Sequence, residues 1–144
     1  MKLVIQRVKN ASVSSGTKNV SISKGLLVLT AVGKDDTAAD IGYMVDKTVN
    51  LRVFSDSAGK MNLSVKDIKG EIMAVPQFTL YGDCRSGRRP GFEMSANREK
   101  GKEFFDAYVA GLVEQGMRVV SGFFGEEMSV GLVNDGPVTL IVER

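Results

Sequence analysis

The residues with most chemistry to offer lie between Gly70 and Pro90, in the run GEIMAVPQFTLYGDCRSGRRP. Ile72 to Val75 form an apolar run of the length expected for a buried strand. Pro76 interrupts it, and proline has no N–H to give to a β-ladder, so it belongs at a strand end, an edge or a bulge. The backbone N–H groups of Gln77, Phe78 and Thr79 are thereby expected outside regular pairing and open to a ligand. Cys84 and the arginines Arg85, Arg88 and Arg89 follow, in a loop broken by Gly82, Gly87 and Pro90. An apolar strand feeding a polar corner and a cationic loop is a common way to build a site. The same stretch also reads as an ordinary strand followed by a solvated basic loop.

Absences narrow the chemistry. The chain contains no histidine, which removes Ser-His-Asp and Cys-His catalysis and the commonest metal ligand. With a single cysteine, a structural zinc site of the Cys/His kind is excluded too. Carboxylates, hydroxyls, backbone groups or the substrate itself must carry any reaction. Cys84 as nucleophile is a competing idea, in which nearby arginines would have to support its thiolate. The net charge is only +2, so no global cationic field marks a nucleic-acid binder, and the arginine loop is the best local candidate. The apolar run at Leu3 to Ile5, closed by Gln6 and Arg7, is too short for a signal peptide. No run of roughly 18 apolar residues predicts a membrane span. One cysteine permits no internal disulfide, which fits a cytoplasmic chain.

The elements that must position this corner follow from pattern. Lys2 to Val8 reads as a strand, and Arg7 within it needs a carbonyl or carboxylate partner or a surface-facing position. Ser12 to Ser14 and Val20 to Ile22 flank Gly16 to Asn19 as a hairpin. Leu26 to Val32 is nearly continuous and apolar, the pattern of a central strand. Ile41, Met44, Val45, Thr48 and Val49 share one helical face, which predicts a helix over 38–50 capped by Asp36 or Thr37. Leu51 to Phe54 reads as a strand, and 60–69 resists assignment. A second helix over 96–115 buries Phe104, Phe105, Tyr108, Val109, Leu112 and Val113. Val119 to Phe124, Met128 to Asn134 and Val138 to Val142 are strand candidates, the last two joined by a turn at Asn134-Asp135-Gly136-Pro137. With 144 residues, this is one domain of α+β or mixed α/β class.

Several segments carry a resemblance in a fixed order along the whole chain. They are IQRV at Ile5 to Val8, LRVF at Leu51 to Phe54, GKMNLS at Gly59 to Ser64, QFTLY at Gln77 to Tyr81, GRRP at Gly87 to Pro90 and NDGPVT at Asn134 to Thr139. Together they resemble the D-aminoacyl-tRNA deacylases. The resemblance implies a single-domain three-layer β/β/α sandwich over 1–144, an α/β fold whose mixed sheets form a partly open barrel with two main helices. It implies a cytoplasmic homodimer that hydrolyses the ester joining a D-amino acid to the 3′-terminal adenosine of tRNA, as chiral proofreading, and that cleaves glycyl-tRNA too. No cofactor and no metal is implied.

Carried over by position, the resemblance places catalysis on Gln77, Phe78 and Thr79. Substrate binding falls on Pro76, Arg7, Asn134, Met128, Gly136 and Pro137, with the Gly-Pro pair entering the partner subunit's pocket through a cis peptide bond. Arg85, Arg88 and Arg89 are expected to bind tRNA. One position departs from the family pattern: Pro76 stands where the pattern has Ser. A related deacylase group that acts on L-alanyl mischarged tRNA has Pro there, but Ala where this chain has Phe78; Arg7 and Phe78 favour the D-specific group. A non-catalytic RNA-binding protein is the reading from a different class. The missing histidine suits the ester chemistry, because the ribose 2′-hydroxyl of the substrate can assist water or the leaving oxygen.

Overall fold

Apolar residues alternate through the first strand, and that alternation sets two separate faces. In the computed structural model, which describes residues 1–144, β1 spans Lys2–Ser15 and buries Leu3, Ile5, Val8, Ala11 and Val13. A tight turn with Gly16 at φ 55 returns the chain as β2 (Lys18–Ile22). The first half of β1 pairs antiparallel with β3 (Gly25–Ala31), from Lys2 opposite Ala31 to Val8 opposite Gly25. Its second half pairs with β2.

β3 is central, as its continuous apolar run predicts. It pairs in parallel with β6 (Glu71–Pro76), which pairs in parallel with β7 (Arg118–Ser121). Gly25 lets β3 and β6 close up: a Cβ there would fall 1.8 Å from the Glu71 carbonyl oxygen. Parallel neighbours need long crossovers. The first contains α1 (Ala38–Asn50) and the short hairpin β4 (Phe54–Ser55) and β5 (Met61–Leu63); the second contains α2 (Arg98–Glu114). The final strand, β8 (Ser129–Glu143), runs antiparallel along the whole of β1 and forms an edge.

The two faces of the sheet bury different cores. Ile5, Leu26, Val28, Ile72 and Ala74 pack against Met44, Val49, Phe105, Tyr108 and Leu112 of the helices. The alternate residues Val8, Leu27, Met73 and Val75 pack against Val13 and Ile22, because the sheet curls until β2 lies against β6 and β7. The result is the expected three-layer β/β/α arrangement with a partly open barrel. Tyr108, wholly buried between the helices and the sheet, donates its hydroxyl proton to Thr48 Oγ1 at 2.7 Å, and Thr48 donates to the Met44 carbonyl.

Three expectations are corrected. Leu51 to Phe54 is not a strand: Leu51 N–H bonds the Lys47 carbonyl as the stop of α1, and only Phe54 and Ser55 enter the β4–β5 pair. Val113 is 53% exposed, on the outer side of the α2 stripe. Asn134 to Pro137 does not reverse the chain. Both flanks pair with the same strand in the same sense, Thr139 with Gln6 and Asn134 with Val8, so Asp135 to Val138 bulge out of one long strand opposite Arg7.

Candidate active site

The corner after β6 is built by where the parallel ladder stops. Thr30 and Pro76 are the last residues in register between β3 and β6, and Gln77 N–H bonds the Thr30 carbonyl at 2.8 Å. Of the N–H groups expected to be open, that of Gln77 is therefore occupied. A 3-10 turn follows over Phe78–Tyr81, and its first internal bond runs from Leu80 N–H to the Gln77 carbonyl. The N–H groups of Phe78 and Thr79 precede that bond and have no backbone partner, the normal condition of the first donors of a helical turn. The Gln77 side-chain amide donates to Thr79 Oγ1. Phe78 is 58% exposed, with its ring edge-to-face on Phe92 at 5.2 Å. Tyr81 anchors the turn over Gly33, where a Cβ would come within 2.5 Å of the tyrosine oxygen. Burial, with Asp36 as the first of several nearby carboxylates, pushes the Tyr81 hydroxyl up to about 12.

Pro76 fits this corner without losing a ladder bond. Gln77 N–H points to β3, so the amide at position 76 faces β7, and that ladder has already ended at Ala74 opposite Ser121. The proline ring lies against Gly122 instead, 3.4 Å from where a Cβ would stand.

The corner opens on a cavity of about 630 Å³, within the range of small-molecule sites. Thr30, Pro76, Gln77 and Phe78 form one wall, the start of α2 with Asn97 and Arg98 a second, and the loop from Phe124 to Met128 a third. Asn97 caps α2 by accepting the Lys100 N–H at 2.9 Å. The Met128 sulfur accepts the Phe123 N–H at 3.2 Å, which folds the third wall back on itself. Glu126 ties that wall to the β1–β2 hairpin: it accepts from Lys18 Nζ at 2.5 Å and Ser15 Oγ at 2.8 Å, and these bonds hold its carboxyl below the usual range. The sequence reading picked out Met128 but missed the second wall and the rest of the third. The only signal was the cap residue Asn97, which marks a helix start but not the cavity it faces.

The second group of expected residues gathers elsewhere. Arg7 Nε donates to the Asp135 carbonyl at 2.8 Å and Nη1 to the Val53 carbonyl at 2.5 Å, with the Asp135 carboxylate 3.6 Å away. Asn134 Oδ1 accepts the Val138 N–H at 2.7 Å, and its Nδ2 reaches Thr139 Oγ1 at 2.9 Å. Between them the Gly136–Pro137 bond is cis, with Gly136 at φ 141. None of Arg7, Asn134, Gly136 and Pro137 lines the cavity of its own chain. Nor do the arginines of the loop. Arg85 bonds both carboxylate oxygens of Asp83, at 2.9 and 2.7 Å, and holds that carboxyl down at about 2. Arg88 and Arg89 are exposed. Cys84 is exposed, and its nearest hydrogen-bonding partner is the Gly82 carbonyl at 4.0 Å.

Comparison with solved structures defines the class of fold first. A structure described as a probable eukaryotic D-amino acid tRNA deacylase superposes with a TM-score of 0.85 over 98% of this chain and 97% of its own, at 17% identity, and shares the fold. A c-Myc DNA unwinding element binding protein superposes with a TM-score of 0.93 over 100% and 99% of the two chains, at 38% identity. The sequence then gives the family. The model described as D-Tyr-tRNA(Tyr) deacylase matches residues 4–143, and the chain belongs to that family. Curated relatives named D-aminoacyl-tRNA deacylase are 52% identical in Thermosipho africanus and 50% identical in Clostridium perfringens, each aligned over 99% of this chain and 97% of the relative.

Proposed function

We propose that the protein hydrolyses the ester of D-aminoacyl-tRNA, releasing free tRNA and the D-amino acid, and that it acts on glycyl-tRNA as well. The observation that carries this reading is the pair of unpartnered N–H groups at successive residues, Phe78 on the cavity wall and Thr79 next to it, in a chain of this family. Water attacks the ester carbonyl, and the carbonyl oxygen becomes an anion. Two backbone donors aimed at that oxygen are an oxyanion hole, and removal of one such donor costs about 3–4 kcal/mol in other esterases. The acyl–oxygen bond then breaks, and the ribose oxygen leaves with a proton supplied by the attacking water. The neighbouring 2′-hydroxyl assists that transfer, so no protein histidine is required. Thr79 Oγ, already oriented by the Gln77 amide, holds the adenosine or the water.

The reading includes a homodimer in the cytoplasm. β8 is an edge of fifteen residues that exposes Val130, Val133, Leu140 and Ile141, the last at 70%. A long apolar edge is a template for another chain, and a second copy covers it symmetrically. The dimer brings Gly136–Pro137 of one protomer to the Gln77–Thr79 corner of its partner. The Gly136 and Pro137 carbonyls accept from the substrate's α-amino group, leaving a D side chain in open space and driving an L side chain into backbone. Arg85, Arg88 and Arg89 bind tRNA phosphates beyond the corner. The test is multiple turnover: release of D-amino acid in excess over enzyme supports the reading. A gel shift of charged tRNA without release supports a binding protein and contradicts it.

A further inference from the structure

Two of the matching segments, LRVF and GKMNLS, have no part in the corner or in the bulge. They form the two arms of the β4–β5 hairpin and its approaches. We infer that this hairpin is a clasp that holds Arg7, and through Arg7 the Gly-Pro bulge, so that Arg52 and Asn62 are positioning residues for the proposed deacylation; the inference rests on that reading. Arg52 donates from Nε to the Asn62 carbonyl at 2.7 Å and from Nη2 to Asn62 Oδ1 at 3.0 Å. Asn62 in turn donates from Nδ2 to Asp56 Oδ2 at 2.6 Å, and the other oxygen of Asp56 accepts the N–H groups of Ala58 and Lys60. The Asn62 bond, ahead of the Lys60 N–H, holds the Asp56 carboxyl below its usual range.

Val53 lies between Arg52 and β4, with its side chain buried, and it offers its carbonyl to Arg7 Nη1 at 2.5 Å. A guanidinium is a rigid planar fork. With Nη1 fixed on Val53 and Nε on the Asp135 carbonyl, the fork spans from hairpin to bulge, and its Nη2 stands 3.1 Å from the position of a Gly136 Cβ. If the Val53 end is lost, the fork can swivel about its remaining bond, and the bulge loses its fixed seat. Arg52 is exposed and does not line the cavity of its own chain, so its effect is routed through Arg7.

A double-mutant cycle tests the clasp. Arg52→Ala, Arg7→Ala and the double variant are assayed on D-tyrosyl-tRNA, with thermal unfolding measured for each. Arg52→Ala is expected to lower kcat/KM about fivefold to tenfold alone and less than twofold in the Arg7→Ala background, since residues in one network are non-additive. Equal losses in both backgrounds, or no loss in either, overturn the inference. Asn62→Ala is taken through the same cycle if Arg52→Ala does not fold. Amide exchange of Val138 reads the clasp without substrate: it should quicken severalfold in Arg52→Ala, and an unchanged rate counts against the clasp. A parent protein that shows no turnover contradicts the deacylase reading, while the exchange result still decides the clasp.

Discussion

Replacing Gly136 by alanine perturbs the bulge at its tightest point. At φ 141 the residue lies in a region that side chains rarely enter, and a new Cβ would meet Val138 Cγ2 at 2.8 Å, Val138 N at 3.0 Å and Arg7 Nη2 at 3.1 Å. Rotation of Val138 relieves the first contact. The second is to backbone and can be relieved only by moving the bulge; the third displaces the guanidinium. Holding a non-glycine residue in such a conformation costs about 1–3 kcal/mol. The ladder brackets the bulge with Thr139 on Gln6 and Asn134 on Val8, so the bulge should shift while the sheet stays paired. The strain then appears in the site more than in global stability. If all of it is lost from transition-state binding, kcat/KM on D-tyrosyl-tRNA falls by about 5–150-fold. The melting temperature should drop by roughly 2–4 °C for each kcal/mol of strain that the shifted bulge does not relieve, in a chain of this size. Single-turnover hydrolysis with circular dichroism on the same samples checks both. Gly136→Ala with activity within twofold of the parent would refute the argument that this backbone is part of the site.

We predict that Cys84→Ala keeps nearly full turnover while Thr79→Ala loses it at matched thermal stability; an inactive Cys84→Ala protein would restore the thiol as nucleophile. If the pocket is completed across the dimer, mixing the two impaired variants Thr79→Ala and Gly136→Ala should give more activity than either alone, because the mixed dimer carries one intact site; no gain after subunit exchange argues against a shared site. The Glu126 carboxyl is depressed by Lys18 and Ser15, so its contribution to stability is complete above the ordinary glutamate value and is lost as pH falls through the lowered one. Lys18→Met should therefore flatten the acid limb of the stability curve, and a limb of unchanged shape would show that the wall is held by other contacts.

How much of this was legible in sequence depended on whether the signal was local. The α1 stripe with Thr37 before it, the β1–β2 hairpin and the apolar run of β3 declare themselves through neighbours a few residues apart. Thr37 provides the start of α1, and its N–H and hydroxyl both bond Asp40. Leu51 to Phe54 misled because Val and Phe favour strands, while tertiary use of Leu51 as a helix stop and of the Val53 carbonyl by Arg7 is not written in propensity. The Gly-Pro segment misled in the same way: its turn chemistry is real, but pairing of both flanks with β1 makes it a bulge. Phe78 and Thr79 were legible because Pro76 announces the end of a ladder. The fate of Gln77 N–H was not, since it depends on Thr30, distant in sequence.

In the proposed reaction a backbone wall selects the hand of the substrate. The measurement that tests it most directly is turnover of D-tyrosyl-, L-tyrosyl- and glycyl-tRNA by the same preparation under the same conditions. Rapid release is expected from the D and glycyl substrates, slower release from L-alanyl-tRNA added as a fourth, and none from L-tyrosyl-tRNA. Equal turnover of D- and L-tyrosyl-tRNA would contradict the wall, and the seat of Pro76 against Gly122 would be the first place to look for the reason.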